Sequence, residues 1–305
     1  MTKSRKSRNT ADNSSSYVGR FAPSPTGPLH PGSLLCALAS YLDARANHGR
    51  WLLRIEDIDP PREMPGAADD ILTTLQAHGL HWDGDVVWQS EQTQRYQQTL
   101  DHLLQAGLAY RCDCSRSDVA AMGGIYNGRC RDRALTAATD SAVRLKLASM
   151  SPVHIEDSVQ ARQVIDLEVD VGDFVIRRRD GLFAYQLAVV VDDAWQGITH
   201  VLRGTDLFDS TPRQIALQSC LGLSRPKYAH IPILLNSAGH KLSKQTHAPA
   251  LDNQRAEDNL RQALRLLGQQ LPERGGVDAL LRWAVQHWAL TEVPRTAGIS
   301  VVNSD

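Results

Sequence analysis

The chain has 305 residues, 42% of them hydrophobic and 22% charged, and a net charge of −1. This is length enough for one large domain or two smaller ones in an ordinary soluble composition. No apolar run reaches the roughly 18 residues that span a bilayer, which argues against a membrane role, and near-neutrality gives no global signature of a nucleic-acid binder.

Residues 1–16, MTKSRKSRNTADNSSS, are polar and basic without an apolar h-region, and read as a disordered tail rather than a signal. Tyr17–Phe21 reads as a strand, and GRFAPSPTGPLHPGS then leads into helical spacing over Ser33–Asn47, with Gly32 or Ser33 near the N-cap. RWLLRIEDID is an apolar run of strand length closed by Pro60 and Pro61. Strand, helix and strand in so short a span form a βαβ unit, hence a parallel sheet with helices on both faces. Helices are predicted near Pro65–His78 and Glu91–Ala106. The texture changes from Tyr110 to about Arg133, in a cysteine- and glycine-containing insert. Regular α/β patterning returns with DFVIRRRDG, AYQLAVVVDDAWQG and THVLRG; a helix start follows at Ser210 or Thr211 with Pro212 in its first turn. Further helices are predicted near Arg255–Leu267 and Val277–His287.

Chemistry concentrates in three places. A strand-to-helix loop ending near Gly32 aims unsatisfied N–H groups and a positive dipole end outward, and an anionic phosphate is its natural guest. His30 at its mouth is a donor for charge developing on phosphate oxygens. HKLSKQ brings Lys241 and Lys244 together beyond Gly239, two point charges able to close on a polyphosphate. Third, Cys112, Cys114 and Cys130 stand within CDCSRSDVAAMGGIYNGRC. Five cysteines in so long a chain make no disulfide framework, so a reducing cytoplasm is expected, and three thiolates in one insert favour zinc. A tetrahedral ion needs a fourth ligand; Asp113, Asp118, Tyr126 or water are the choices. Cys36 and Cys220 read as core residues on apolar helical faces. Arg177–Arg179 and Arg129, Arg131 and Arg133 are the local basic patches open to RNA.

Taken in order, LHPGS and KLSKQ resemble the two signatures of the class I aminoacyl-tRNA synthetases, and GRFAPSPTGPLHPGS with RIEDIDPPR resembles the glutamyl branch. The likeness runs from about Val18 to Gln245. It departs from the ideal where LHPGS lacks a closing histidine and where Gln245 ends KLSKQ. Residues 246–305 leave no room for an anticodon-binding domain of about 100 residues, so the truncated glutamyl-queuosine tRNA(Asp) synthetases are the expected branch. The alternatives are a conventional glutamyl-tRNA synthetase charging tRNA(Glu) and a non-catalytic RNA-binding paralogue.

The resemblance implies a Rossmann-like α/β catalytic domain over residues 17–245, a zinc-binding acceptor-side insert at about 110–133, and a short helical C-terminal region. It implies activation of L-glutamate by ATP with Mg²⁺, then transfer to the queuosine base of tRNA(Asp). His30, Gly32, Lys241 and Lys244 would hold the ATP, with His30 and Lys244 catalytic. An acidic amino acid needs a cation for its side chain and an anion for its ammonium, and Arg20 and Glu56 supply these types. The implied glutamate site adds Phe21, Ala22, Pro23, Ser24, Tyr185 and Arg203, while Asp57 and Asp59 brace the loop. The implied zinc set is Cys112, Cys114, Tyr126 and Cys130.

Overall fold

A computed structural model of the chain describes residues 17–137, 139–242 and 249–300. Strand β1 (Val18–Phe21), helix α1 (Pro31–Ala46) and strand β2 (Arg50–Ile55) form the expected parallel crossover. Helix α2 (Ala67–Ala77) leads to β3 (Val87–Trp88), parallel to β2, and α3 (Thr93–Gln105) follows.

A second unit then begins. Strand β4 (Ala109–Cys112) and helix α4 (Arg116–Ala121) precede β5 (Ala142–Leu145), the hairpin of β6 (Val153–Ile155) and β7 (Gln163–Ile165), and β8 (Val175–Arg177). Here all pairing is antiparallel, β4-β5-β8 in one sheet and β6-β7 in another. The inserted unit is therefore larger than the 110–133 read from its cysteines. DFVIRRRDG belongs to this antiparallel sheet, not to the parallel one. Its apolar run is of strand length either way, and nothing local distinguishes the two partners.

Helix α5 (Tyr185–Trp195), β9 (His200–Gly204), α6 (Thr211–Cys220), β10 (Lys227–Ile231) and β11 (Ile233–Leu235) restore the parallel pattern. The Thr199 amide donates to the Val18 carbonyl (2.9 Å), and the Val18 amide to Thr199 Oγ1 (2.8 Å). These bonds set β9 beside β1, giving the order β3-β2-β1-β9-β10. Alternation along each strand then divides the core. Phe21, Leu53, Leu202 and Ala229 join one hydrophobic cluster; Val18, Leu52, Val201 and Tyr228 join the other. Helix α1 covers the first face, and α3, α5 and α6 cover the second.

Helices α7 (Ala256–Leu266) and α8 (Val277–His287) pack on α1, with Leu260, Leu264, Leu280 and Leu281 buried in the same cluster. The region after residue 248 is not purely helical. Strand β12 (Gly298–Ser300) returns to pair in parallel with β11. Among the described residues no helix is long and apolar enough to cross a membrane.

Candidate active site and cysteine cluster

The carboxyl ends of β1, β2 and β9, the first residues of β11 and the amino ends of α1 and α5 enclose a cleft of about 990 Å³. Arg20, Phe21, Ala22, Pro23 and Ser24 line it from β1 and the loop beyond, and Glu56 from the end of β2. His30 and Gly32 line it from the start of α1, Tyr185 from α5, Arg203 from β9, and Lys241 from the basic turn. The described residues of both signatures, with Lys241 and Leu242 for the second, thus face one cavity. Lys244 and Gln245 lie outside the described residues.

The start of α1 differs from the expected Gly32 or Ser33 cap. His30 is the N-cap, with extended backbone, and Pro31 opens the helix. The His30 Nδ1 accepts from the Ser33 amide (3.3 Å), so in the neutral ring the proton sits on Nε2. Pro31 was the signal for this earlier start, since proline favours the first helical position. Gly32 is needed beneath the ring: a Cβ there would meet His30 Cε1 at 3.0 Å and Nδ1 at 3.2 Å, with the Leu242 carbonyl 3.7 Å away.

The floor of the cleft is a buried ionic network that sequence reasoning missed. Arg20 donates through Nε and Nη2 to Asp193 (3.2 and 3.4 Å). Arg54, fully buried, reaches Asp193 Oδ1 (2.8 Å), Gln196 Oε1 (2.6 Å) and Glu56 Oε1 (3.4 Å). Asp192 lies beyond, held by Gln89 (2.8 Å) and the Tyr96 hydroxyl (2.6 Å). Burial acts to raise the pKa of Asp193, but Arg20 and Arg54 on either side outweigh it and hold the carboxyl below its usual range. For Glu56 burial prevails over the same two arginines and pushes its pKa up. The available signal was charge inside apolar runs: Arg54 between Leu53 and Ile55, and Asp192–Asp193 after three valines.

Arg203 is held by a second chain of bonds. Its Nε donates to His230 Nε2 (3.0 Å), its Nη2 to Thr211 Oγ1 (2.9 Å) and its Nη1 to the Tyr185 hydroxyl (3.4 Å). His230 must then carry its proton on Nδ1, facing Asp157 Oδ2 at 2.6 Å. Burial, together with the Arg203 charge, keeps the His230 pKa below its ordinary value despite that carboxylate. Asp57 and Asp59 do brace the rim: Asp57 accepts from the Ser90 amide (2.9 Å) and hydroxyl (2.6 Å), and Asp59 pairs with Arg62 and with Arg178 (3.1 Å). At the opposite rim Lys241 Nζ lies 2.5 Å from Asp206. Cys36, expected in the core, also lines the cleft, where burial and then the Asp206 charge push its thiol up to about 12. Its helical face is apolar, but that face meets the cavity.

Away from the cleft, the sulfurs of Cys112, Cys114 and Cys130 all lie within 4.8 Å of one another. The Tyr126 oxygen completes the group, 3.4 Å from Cys112 Sγ and 3.8 Å from Cys114 Sγ, and it accepts from the Cys130 amide at 2.8 Å. Cys114 and Cys130 are 3.6 Å apart. A tetrahedral ion with metal–sulfur bonds of about 2.3 Å requires edges of about 3.8 Å between thiolates, so this donor set fits one metal. Asp118 is instead engaged in a capping box with Ser115, while Asp113 pairs with Arg133 (2.6 Å) and also lies 3.4 Å from Cys130 Sγ. Arg144 supports the cluster from outside, its Nε 3.2 Å from Cys112 Sγ and its guanidinium 4.0 Å over the Tyr126 ring. Gly172, at φ +66°, allows the chain to pass close by, since a Cβ would lie 2.6 Å from the Tyr126 carbonyl.

The family model for the catalytic domain of class I tRNA synthetases (E and Q) matches residues 17–271. A glutamyl-Q tRNA(Asp) synthetase of Pseudomonas aeruginosa is 53% identical over 286 residues, covering 93% of this chain and 97% of the relative. One from Dechloromonas aromatica is 54% identical over 292 residues, covering 92% and 97%. Among solved structures, a glutamate tRNA ligase from Elizabethkingia meningosepticum in complex with its amino acid superposes with a TM-score of 0.79 at 25% identity. That match covers 93% of this chain, which spans 66% of the ligase's length. An arginyl-tRNA synthetase structure from Campylobacter jejuni shares the fold alone, at TM-score 0.53 and 14% identity.

Proposed function

The chain belongs to the class I tRNA synthetase family for glutamate and glutamine, and from that premise we propose that it activates L-glutamate with ATP and transfers it to the queuosine base of tRNA(Asp). The observation that carries this reading is the opposed pair Arg20 and Glu56 in one cleft with His30 and Lys241. Arg20 receives the side-chain carboxylate of glutamate, and Glu56 its ammonium group. Tyr185 and Arg203 close the pocket around the rest of the amino acid.

In the first step the glutamate α-carboxylate attacks the α-phosphorus of ATP, the bond to the β-phosphate oxygen breaks, and pyrophosphate leaves. The chain's contribution is position and charge. The His30 Nε2–H and the start of α1 at Gly32 donate to the α-phosphate oxygens, while Lys241, with Lys244, meets the β- and γ-phosphates. Mg²⁺ bound with the triphosphate supplies further charge neutralisation. In the second step a hydroxyl of the queuosine cyclopentenediol attacks the activated carbonyl, loses its proton, and AMP leaves.

Cys112, Cys114, Tyr126 and Cys130 would hold Zn²⁺, and an ion closed by four protein ligands supplies a structural cross-link rather than a reactive position. A reducing cytoplasm suits those thiolates.

One assay tests the reading: labelled glutamate and ATP with queuosine-bearing tRNA(Asp), tRNA(Asp) lacking queuosine, or tRNA(Glu). Label is expected on the first alone. Label on tRNA(Glu) would make the protein a conventional synthetase, and absence of glutamate-dependent pyrophosphate exchange would make it a non-catalytic RNA binder. The zinc reading is checked by metal analysis: one equivalent per chain is expected, lost on Cys112→Ser.

A further inference from the structure

Arginines gather at several places on the surface, and pairing separates them. Arg131 closes on Asp173 (2.6 Å), Arg133 on Asp113 (2.6 Å) and Arg178 on Asp180 (2.5 Å). The two basic patches conspicuous in the sequence are thus largely neutralised. Along α7 the balance is different. Arg255, Arg261, Arg265 and Arg274 line a cavity of about 400 Å³ in which Asp258 is the one carboxylate of the lining.

Asp258 is shared, 2.7 Å from Arg274 and 3.7 Å from Arg255. Arg261 donates through Nη2 to the Pro272 carbonyl (2.8 Å), while its Nη1 is buried without a hydrogen-bond partner, 3.8 Å from Glu257. Arg265 is exposed and has no carboxylate within ion-pair distance among the described residues. Positions 255, 258, 261, 262 and 265 share one side of the helix at a period near 3.6, a stripe about 15 Å long. At a rise of about 3.4 Å per nucleotide in a stacked strand, that length spans several phosphates. The stripe is joined to the cleft wall through the chain that precedes it. The Leu251 amide donates to the carbonyl of Leu29, the residue before His30 (3.0 Å), and only a short turn separates Leu251 from Arg255.

We propose that this arginine groove on α7 seats the phosphate backbone of the tRNA whose modified base enters the cleft. The inference rests on the reading of the acceptor as a tRNA. Guanidinium groups around a concavity, in a chain of net charge −1, supply locally the counter-charge that the whole molecule lacks.

The test uses the full chain with Arg255→Glu/Arg265→Glu, both exposed positions, and with Arg255→Lys/Arg265→Lys. Binding of queuosine-bearing tRNA(Asp) is measured across a salt series, and glutamate-dependent pyrophosphate exchange is measured alongside. The glutamate pair should weaken tRNA binding by about thirtyfold at 0.1 M salt and make log affinity against log salt shallower by about 1.5, as two lost phosphate contacts require. The lysine pair should keep the wild-type slope. Exchange should be unaltered in both. Wild-type affinity and slope in the glutamate pair would overturn the proposal, and so would a loss of affinity with no change of slope. If millimolar inorganic pyrophosphate occupies the groove while the glutamate pair still binds tRNA normally, the site serves a free anion and the proposal fails. Absent exchange in the wild type would reject the activation chemistry alone, while absent tRNA binding would reject the acceptor and the groove together.

Discussion

The two ends of the cleft are built on different principles. At the end proposed for the amino acid the arginines are buried and tied: Arg20 and Arg203 are 4% exposed and Arg54 is fully buried, Arg20 making two bonds to Asp193 while Arg54 and Arg203 each reach at least two residues. At the end proposed for the phosphates the Lys241 side chain is 46% exposed and its carboxylate partner Asp206 27%. A small zwitterion must be told from its isosteres, which demands desolvated groups fixed in advance. A triphosphate brings its own large charge, and its pyrophosphate must leave again, so solvated contacts suffice. Stability and selectivity should therefore be concentrated at one end, with turnover at the other.

The largest effect that would sharpen this contrast is expected from Arg20→Ala. It should lower kcat/KM for glutamate in pyrophosphate exchange by about 10³-fold, roughly 4 kcal/mol, by leaving a substrate carboxylate and Asp193 without their shared cation. Asp193→Asn should destabilise the fold by about 3 kcal/mol in chemical denaturation, because two buried guanidinium groups lose their common counter-charge. A shift below about 1 kcal/mol would break the comparison at its root. His30→Ala should cost about 10²-fold in kcat and about 1 kcal/mol of stability, from the lost donor and the lost cap.

Next comes pH. On the proposed assignment only ionised Glu56 would attract the substrate ammonium, and its pKa is raised by burial above the usual glutamate value near 4.3. KM for glutamate should therefore climb as pH falls through that raised value. Stability responds with opposite signs at the two carboxylates. The neutral form of Glu56 is favoured by its site, so its burden on folding eases as pH falls. Asp193 contributes stability that is complete above the ordinary aspartate range near 4 and is lost as pH falls through its depressed value. Smallest of all, Lys241→Ala should raise KM for ATP about fivefold and change stability by less than about 1 kcal/mol, as a solvated pair allows.

What was legible in the sequence follows the same division. Residues set in unusual local company, such as Arg20 and His30 in the proline-rich loop or Lys241 beside Gly239, announced themselves and do share a cavity. Their supports did not. Asp193 and Arg54 stand in helix and strand patterns with partners far away in the chain, and a periodicity of 3.6 or 2 says which face is buried without naming its neighbour. His230 and Asp157, which position Arg203, are hidden for the same reason. The extent of the insert was invisible because DFVIRRRDG reads as a strand in either sheet. The three cysteines were legible because they fall within one short stretch, whereas Tyr126 among several possible fourth ligands came only from the family resemblance.

One consequence remains in the ring that opens α1. Because its Nδ1 lone pair is committed to the Ser33 amide, the imidazole of His30 has no second basic edge to offer a bound molecule. Protonating that nitrogen would break the bond that caps the helix, so the ring favours donating from Nε2 over collecting a proton at Nδ1. In the proposed reaction its part is then to donate to phosphate oxygens rather than to serve the incoming hydroxyl as a base. The helix cap thus fixes which edge of the ring can meet a bound anion, before any substrate arrives.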